Sequence, residues 1–321
     1  AASVLASRPL AALLLGRGVE DPAPALPQSL LAALSTALGE EAREENLVDV
    51  TQKLLSQKIS AHLHQRLTEA VGAEEVRERA RLLCLSLPHS GDWLNTPPLT
   101  ALGLHLRSAE FILVMKYRLG MAVYDKAGPC PACLRPSDIL GDHAMSCGTG
   151  GERISRHNHL RDALYEMAVS AGLAPTKEGR FLLPGDDRRP ADVFIPYWAG
   201  GRDAALDVTV VNPLQAATVA GAATTPGFAH TRKLQGAEED CRRQGIAFLP
   251  LAVESLGGWH KGAEQEVKKL GAALARHTGQ DEETAGRHSW GRLAMLLQRG
   301  NAAILGNRVP SFPHPNVNGV E

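Results

Sequence analysis

Residues 191–211, "ADVFIPYWAGGRDAALDVTVV", decide the fold class of this chain. They contain two apolar runs rich in β-branched and aromatic residues, "ADVFIPYW" and "AALDVTVV", which are typical of short strands. Gly200 and Gly201 stand between the runs and favour a turn. This stretch therefore predicts two adjacent strands of one sheet.

The second half of the chain continues this pattern. Two further strand-like runs are "GRFLLP" before the opening stretch and "IAFLPLAVES" after it. Helical periodicity predicts helices at about 152–172, 229–244, 261–276 and 283–304. The order helix, three strands, helix, strand and two helices predicts an α/β domain over residues 151–305.

The first half of the chain predicts helices, and residues 1–125 are assigned to a helical region. Leu54, Leu63 and Leu67 belong to a series of apolar residues at steps of three and four, which predicts the core-facing side of a helix. "LPHSGDWLNTPPLT" from residue 87 breaks this pattern, and a further helix is predicted over residues 100–119. The Pro- and Asn-containing segment 306–321 is predicted to be a disordered tail.

Composition limits the classes of protein. The chain has 321 residues, of which 44% are hydrophobic, so it can bury a core. Its longest apolar runs fall short of the roughly 20 residues that span a bilayer, so no membrane segment and no secretory peptide are expected. The formal net charge of −1 requires any nucleic-acid contact to come from local basic clusters. The chain begins without Met, so it can be a fragment of a longer protein.

Residues 126–150 contain a metal-binding pattern, "CPACLRPSDILGDHAMSC" at 130–147. Cys130 and Cys133 have the spacing of a tight turn, and His143 and Cys147 have the spacing of one helical turn. Three thiolates and one imidazole suit a structural Zn²⁺ ion, and an odd total of five cysteines favours a reducing compartment. His157 and His159 are alternative fourth ligands, and chance clustering of free cysteines is the alternative to a metal site.

Three carboxylates predict a second metal site. Asp192 and Asp207 interrupt the two apolar runs of the opening stretch, and Glu178 precedes them. Carboxylates gathered at neighbouring strand ends form an oxygen-lined pocket for Mg²⁺, which can activate water for phosphodiester hydrolysis. Each Asp alone would more often be solvated or cap a turn.

Candidate phosphate contacts lie at the start of the helix that follows the cysteine motif. Arg153, Arg156, His157 and Asn158 would direct cations and an amide at a nucleic-acid backbone. The alternative is a solvated helix end. Farther along, Glu254 is expected to be structural, while Trp259 and His260 are expected to pack in the core or to contact DNA.

Taken in order, "CPAC…GDHAMSC", Arg156-His157-Asn158, "RRPAD" and "LDVTV" resemble the C-terminal part of site-specific non-LTR retrotransposon proteins. The resemblance covers about residues 85–260. It implies a restriction-like endonuclease of the PD-(D/E)xK fold, a small mixed sheet flanked by helices. It also implies Mg²⁺-dependent nicking of DNA, a nuclear location, and DNA or RNA as the partner. Glu254 becomes a possible lining residue of the site.

The chain departs from this family pattern in three ways. The Pro-Asp pair appears as Pro190-Ala191-Asp192, with one residue inserted. Thr209 occupies the position of the usual lysine, and the resemblance implies that Lys233 in the following helix replaces it, while Arg232 contacts DNA. There is no polymerase signature. The alternatives to an active nuclease are a catalytically dead nucleic-acid-binding module and a helical scaffold with structural zinc.

Overall fold

The computed structural model of the chain describes residues 28–38, 52–178, 191–228 and 238–310. The chain divides into two compact units, residues 1–74 and residues 75–321. The first unit contains helices α1 (Gln28–Leu38) and α2 (Gln52–Ala70). The cysteine motif and the sheet belong together to the second unit.

The apolar stripe of α2 differs from the sequence prediction. Leu63 and Leu67, which were predicted to face a core, are 50% and 59% exposed, and Leu54 is also exposed. A periodic stripe specifies which residues share one side of a helix, but only a packed neighbour makes that side a core. The exposure of these three leucines shows that the periodic pattern alone did not predict their burial.

The second unit begins with four helical segments and ends with two long helices. Its helices are α3 (Val76–Leu85), α4 (Asp92–Asn95), α5 (Ser108–Arg118), α6 (Asp142–Ser146), α7 (Glu152–Ser170), α8 (Val219–Ala222), α9 (Glu238–Arg243), α10 (Lys261–Thr278) and α11 (Glu282–Gly306). Its strands are β1 (Gly128–Pro129), β2 (Pro136–Ser137), β3 (Thr176–Lys177), β4 (Val193–Ala199), β5 (Arg202–Val211) and β6 (Ala247–Glu254). The fold is therefore mixed α/β, as predicted.

The four-stranded sheet has the order β3-β4-β5-β6. Strands β3, β4 and β5 pair antiparallel, and β6 adds in parallel to β5, so the sheet is mixed. One face packs on α7, α10 and α11 through a core that includes Leu164, Leu206 and Leu293. The opposite face packs on α9 through Ala205 and Cys241. Helices therefore cover both faces of the sheet.

Most predicted elements of the second unit are confirmed. The opening stretch forms β4 and β5, "IAFLPLAVES" contains β6, and the predicted helices at 152–172, 261–276 and 283–304 correspond to α7, α10 and α11. The run "GRFLLP" lies outside the described residues, and the predicted helix at 229–244 is described only as α9.

The helix predicted over residues 100–119 starts later than expected. Residues 100–102 form a single 3-10 turn, which ends at Gly103 with a left-handed φ of 64°. Helix α5 begins only after Arg107, whose backbone N–H donates to the Glu110 carboxylate at 2.8 Å. This local capping interaction sets the start of the helix and overrides the longer periodic pattern.

The start of the predicted disordered tail at residue 306 is not supported, because α11 continues to Gly306 and Arg308 is only 2% exposed. Residues 311–321 lie outside the described part of the chain. Among the described residues, no helix combines the length and the apolar character needed to cross a bilayer.

Candidate metal centre and carboxylate row

The cysteine motif folds into a four-ligand cluster. Ligand atoms of Cys130, Cys133, His143 and Cys147 all lie within 4.8 Å of one another, and the Cys133 Sγ is 3.2 Å from the His143 Nε2. Three sulfurs and one imidazole at this spacing are a donor set that Zn²⁺ accepts. The cluster that the sequence predicted is therefore present and could bind zinc.

Two short elements position the ligands. The β1–β2 pair closes with Leu134 in the left-handed region, φ 61°, and the Leu134 N–H donates to the Cys130 carbonyl at 2.8 Å. Helix α6 carries His143 and begins after Gly141, whose φ of 87° suits glycine. Asp138 accepts hydrogen bonds from the N–H groups that open α6, including that of His143 at 2.7 Å. The ligand positions are thus set by backbone geometry.

The alternative histidines do not join the cluster. His157 Nε2 lies 3.0 Å from a carboxylate oxygen of Asp192, and His159 is exposed on α7. Because both residues lie on α7 while the cysteines surround α6, His143 is the fourth member.

Cys147 has the most distinctive electrostatic environment of the cluster. Burial raises the pKa of its thiol, but hydrogen bonds from the Thr149 N–H, from Cys133 and from Arg308 lower it, and the resulting pKa is about 7. Thiolate is the form that binds metal. The surroundings of Cys147 therefore favour the metal-binding form.

The three predicted carboxylates lie side by side across the sheet. The pairing of β3 with β4 continues to Glu178, whose N–H donates to the Asp192 carbonyl at 2.9 Å. The antiparallel register of β4 and β5 continues to Asp192, which stands opposite Asp207. The structure thus brings Glu178, Asp192 and Asp207 into one row over three neighbouring strands. We call this set the carboxylate row.

Helix α7 supplies two of the described contacts to the row. His157 contacts one oxygen of Asp192, and the Val208 N–H donates to the other at 2.7 Å. The hydrogen bond to Asp192 raises the pKa of His157 above its ordinary value, although burial opposes this shift. Arg161 forms an ion pair with Glu178. Two side chains of α7 therefore offset the negative charge of the row.

The oxygens of the row do not converge on a single point as the cysteine ligands do. Among the described residues, the cysteine cluster is the only group of three or more metal-ligand atoms within 4.8 Å of one another. The charge of Asp207 contributes to the raised pKa of both His157 and Cys241, after larger causes in each case. Lys233 and Arg232 lie outside the described residues, so their predicted roles stay predictions.

A cavity of about 350 Å³ opens beside the row. Arg153, Arg156 and His157 line one side of it, and Thr209 of β5 lines the other. The Arg153 guanidinium also donates to the Ser146 carbonyl at 3.1 Å, next to Cys147 of the cysteine cluster. Positive groups from the beginning of α7 therefore face the strand that carries Asp207.

The four predicted phosphate contacts differ in exposure. Arg156 is only 1% exposed, and its guanidinium donates to the Asn301 Oδ1 at 2.6 Å. Burial lowers the pKa of Arg156 to about 10, so it stays positively charged at neutral pH. Arg153, His157 and Asn158 are partly exposed. The structure thus places Arg156 in the interior, as a cavity wall, and leaves the other three near the surface.

Two of the three candidate residues at or after the end of β6, Glu254 and Trp259, are buried. Glu254 is fully buried and shares a hydrogen bond with the Cys84 thiol, while burial raises its pKa to about 7. Trp259 packs in the core, with its ring centroid 5.5 Å from that of Trp290. His260 caps α10 by accepting a hydrogen bond from the Gly262 N–H at 3.2 Å. The described contacts of all three residues are structural.

Sequence reasoning missed a buried polar network beneath the site. The Asn212 Oδ1 accepts hydrogen bonds from the Tyr117 and Ser255 hydroxyls, both at 3.2 Å, and its Nδ2 donates to the Ser146 Oγ at 3.0 Å. Arg161, which holds Glu178, was also missed. The one available signal was a lone Asn directly after the apolar run of β5.

Neither a protein-family model nor a curated protein sequence matches this chain.

Proposed function

We propose that this chain is a Mg²⁺-dependent DNA endonuclease of retrotransposon type, with a structural zinc site and the PD-(D/E)xK fold. The observation that carries the proposal is the carboxylate row, which aligns Glu178, Asp192 and Asp207 on three neighbouring strands. A basic cavity beside the row supplies the complementary charge for a phosphodiester. The small mixed sheet between helices supports the fold assignment.

Each residue has a role in this proposal. Asp192 and Asp207 would hold Mg²⁺, with Glu178 as a third ligand, because carboxylate oxygens are the ligands this ion prefers. When bound, the ion supplies an activated water and neutralises charge on the phosphate. Arg153 and His157, which line the cavity, would contact the DNA backbone. Lys233 would stabilise negative charge that develops on the phosphate.

Contacts from α7 offset the negative charge of the carboxylate row. Like charges in neighbouring positions repel and need a cation to offset them. His157 and Arg161 provide that offset at Asp192 and Glu178. We infer that metal binding exchanges these partners for the ion, which would release His157 toward the cavity.

We propose that zinc occupies the cysteine cluster and has a structural role. The cluster supplies four protein ligands, so it leaves no coordination position for water or substrate. Ala144 and Met145 of α6 pack in one core with Tyr117, Ile304 and Leu305. Zinc would therefore stabilise the α6 region against α5 and α11, directly before the helix that lines the cavity.

A second candidate function is a nucleic-acid-binding module without catalysis. The observation that favours it is that both oxygens of Asp192 already have protein partners, His157 and the Val208 N–H. In such a module these contacts would be permanent, and the basic cavity would serve binding alone.

A plasmid-nicking assay distinguishes the two functions. The purified full chain is incubated with supercoiled plasmid in Mg²⁺, in Mn²⁺ and in EDTA, and binding to a short duplex is measured in parallel. Conversion to open circles in either metal, but not in EDTA, supports the nuclease. Binding of the duplex without cutting in either metal supports the binding module and contradicts the nuclease.

A further inference from the structure

Arg308, far from the cysteine motif in sequence, closes over the loop that follows Cys147. It lies two residues after the end of α11 and is only 2% exposed. Its guanidinium donates to one oxygen of Glu152 at 2.9 Å and to the other at 2.5 Å, and also to the Thr149 carbonyl. These contacts connect residues 149–152 to the segment directly after α11.

The loop is shaped to admit this side chain. Gly150 has a φ of 104°, which favours glycine, and a Cβ at this position would collide with the Arg308 guanidinium. The close approach of the loop backbone to Arg308 therefore requires glycine at residue 150.

One donor of Arg308 remains after these contacts. Its Nε–H is buried, and the described residues provide it with no oxygen or nitrogen acceptor. Glu152 is the main group that raises the pKa of Arg308, and the Cys147 side chain raises it further, which places the guanidinium close to that sulfur. A buried donor without a partner costs free energy, so an acceptor at the cluster would complete the environment of this group.

The charge of a loaded cluster identifies that acceptor. Three thiolates, one neutral imidazole and one divalent ion carry a net charge of −1, which is centred on the sulfurs. Glu152 and Arg308 offset one another, so the Arg308 donors can contact a thiolate without leaving an unpaired charge. Hydrogen-bond donors behind metal ligands fix the ligand orientation and raise metal affinity.

We propose that Arg308 is an outer-shell ligand of the zinc site, which donates a hydrogen bond to the Cys147 thiolate and ties the cluster to the end of α11. The inference rests on the proposed zinc site. Its consequence is that the metal site is completed by the segment that follows α11, and not by the motif at 130–147 alone.

Zinc affinity tests the inference. The dissociation constant of the full chain is measured by competition with a chromophoric chelator for wild type, Arg308→Met and Arg77→Met. Arg308→Met should weaken zinc binding by about 10- to 100-fold, the effect typical of a lost outer-shell partner. Arg77→Met is the matched control, because Arg77 pairs with Asp142 of α6 but is not a described partner of a ligand sulfur.

If Arg308→Met does not fold, a second variant and a second measurement test the role of Arg308. In the Co²⁺-loaded protein, Arg308→Lys should move the thiolate-to-cobalt charge-transfer band to lower energy, because a planar donor to the sulfur is lost while the charge is kept. An unchanged zinc affinity in folded Arg308→Met, or an unchanged band in Arg308→Lys, would overturn the role of Arg308. Failure of wild type to bind zinc would instead overturn the zinc site, and the inference with it.

Discussion

The Nε2 atom of His157 lies 3.0 Å from a carboxylate oxygen of Asp192, which joins the beginning of α7 to the start of β4. The same helix begins five residues after Cys147, the last cysteine of the metal cluster. One helix therefore connects the two candidate metal sites of the second unit.

The carboxylate row can be tested with single neutral substitutions. Asp192→Asn and Asp207→Asn should each lower the nicking rate by more than about 10²-fold, because a lost ligand removes several kcal/mol of transition-state stabilisation. Binding to duplex DNA should stay within about threefold of wild type, since the cavity cations remain. The rates come from single-turnover plasmid nicking.

Asp203→Asn is the matched control for these two variants. Asp203 lies on β5, where its carboxylate accepts a hydrogen bond from the Tyr197 N–H at 3.0 Å, and it is not part of the row. Equal rates for Asp203→Asn and Asp207→Asn would show that the row is not catalytic.

The zinc site predicts a coupled loss of metal and stability. Elemental analysis of the purified chain should find one zinc per chain, and Cys133→Ser should lose it. Because structural zinc contributes folding free energy directly, chelation should lower the melting temperature of wild type but not that of Cys133→Ser. Cys241→Ser, a buried cysteine of α9 outside the cluster, should keep its zinc. Full zinc occupancy in Cys133→Ser would contradict the assignment.

The raised pKa of Glu254 predicts that the free energy of unfolding depends on pH. Burial raises its pKa from the ordinary value of 4.5 to about 7, so the native state holds the proton more tightly than the unfolded chain. The stability that neutral Glu254 contributes is complete below pH 4.5 and is lost as the pH rises through 7. Relative to Glu254→Gln, wild type should therefore lose on the order of 3 kcal/mol between pH 4.5 and pH 8.

Urea denaturation at several pH values in this interval measures that difference. Glu166→Gln is the control, because Glu166 is exposed on α7 and pairs with Arg292 at the surface. A constant difference between wild type and Glu254→Gln across the interval would contradict the prediction.

The buried network predicts a large cost for one small substitution. Asn212→Ala removes the acceptor of two buried groups, the Ser255 hydroxyl and the Leu214 N–H, and one partner of the Tyr117 hydroxyl. Unsatisfied buried groups cost about 1–3 kcal/mol each, so the free energy of unfolding should fall by about 3 kcal/mol. Asn307→Ala, an exposed asparagine that donates to Glu152 at 3.2 Å, should change it by less than about 0.5 kcal/mol. Chemical denaturation of both variants distinguishes these outcomes.

The strands β4, β5 and β6 and the helices α7, α10 and α11 were predictable from the sequence, because apolar periodicity is a local property. The cysteine cluster was predictable for the same reason, since its four ligands lie within 18 residues at spacings that a turn and one helical turn impose. The start of α5 was not predicted correctly, because the apolar pattern extends ahead of it, whereas the hydrogen bond between Arg107 and Glu110 sets the first turn.

Local sequence patterns predicted the burial of side chains less well than they predicted helices and strands. The leucines of α2 have core periodicity and are exposed, whereas Arg156 has the character of a surface residue and is buried. In each case the packing partner decides whether the side chain is buried. The partner of Arg156 is Asn301, which lies 145 residues away in the chain.

Only the tertiary structure aligned Glu178, Asp192 and Asp207, because the alignment depends on the register of three strands and not on the residues themselves. It likewise brought Arg308 of the chain's last described segment to Thr149, two residues after Cys147. Spacing in the sequence specifies contacts that one turn or one helix can make. Contacts between distant segments depend on which apolar faces pack together, and that packing is decided by the whole unit.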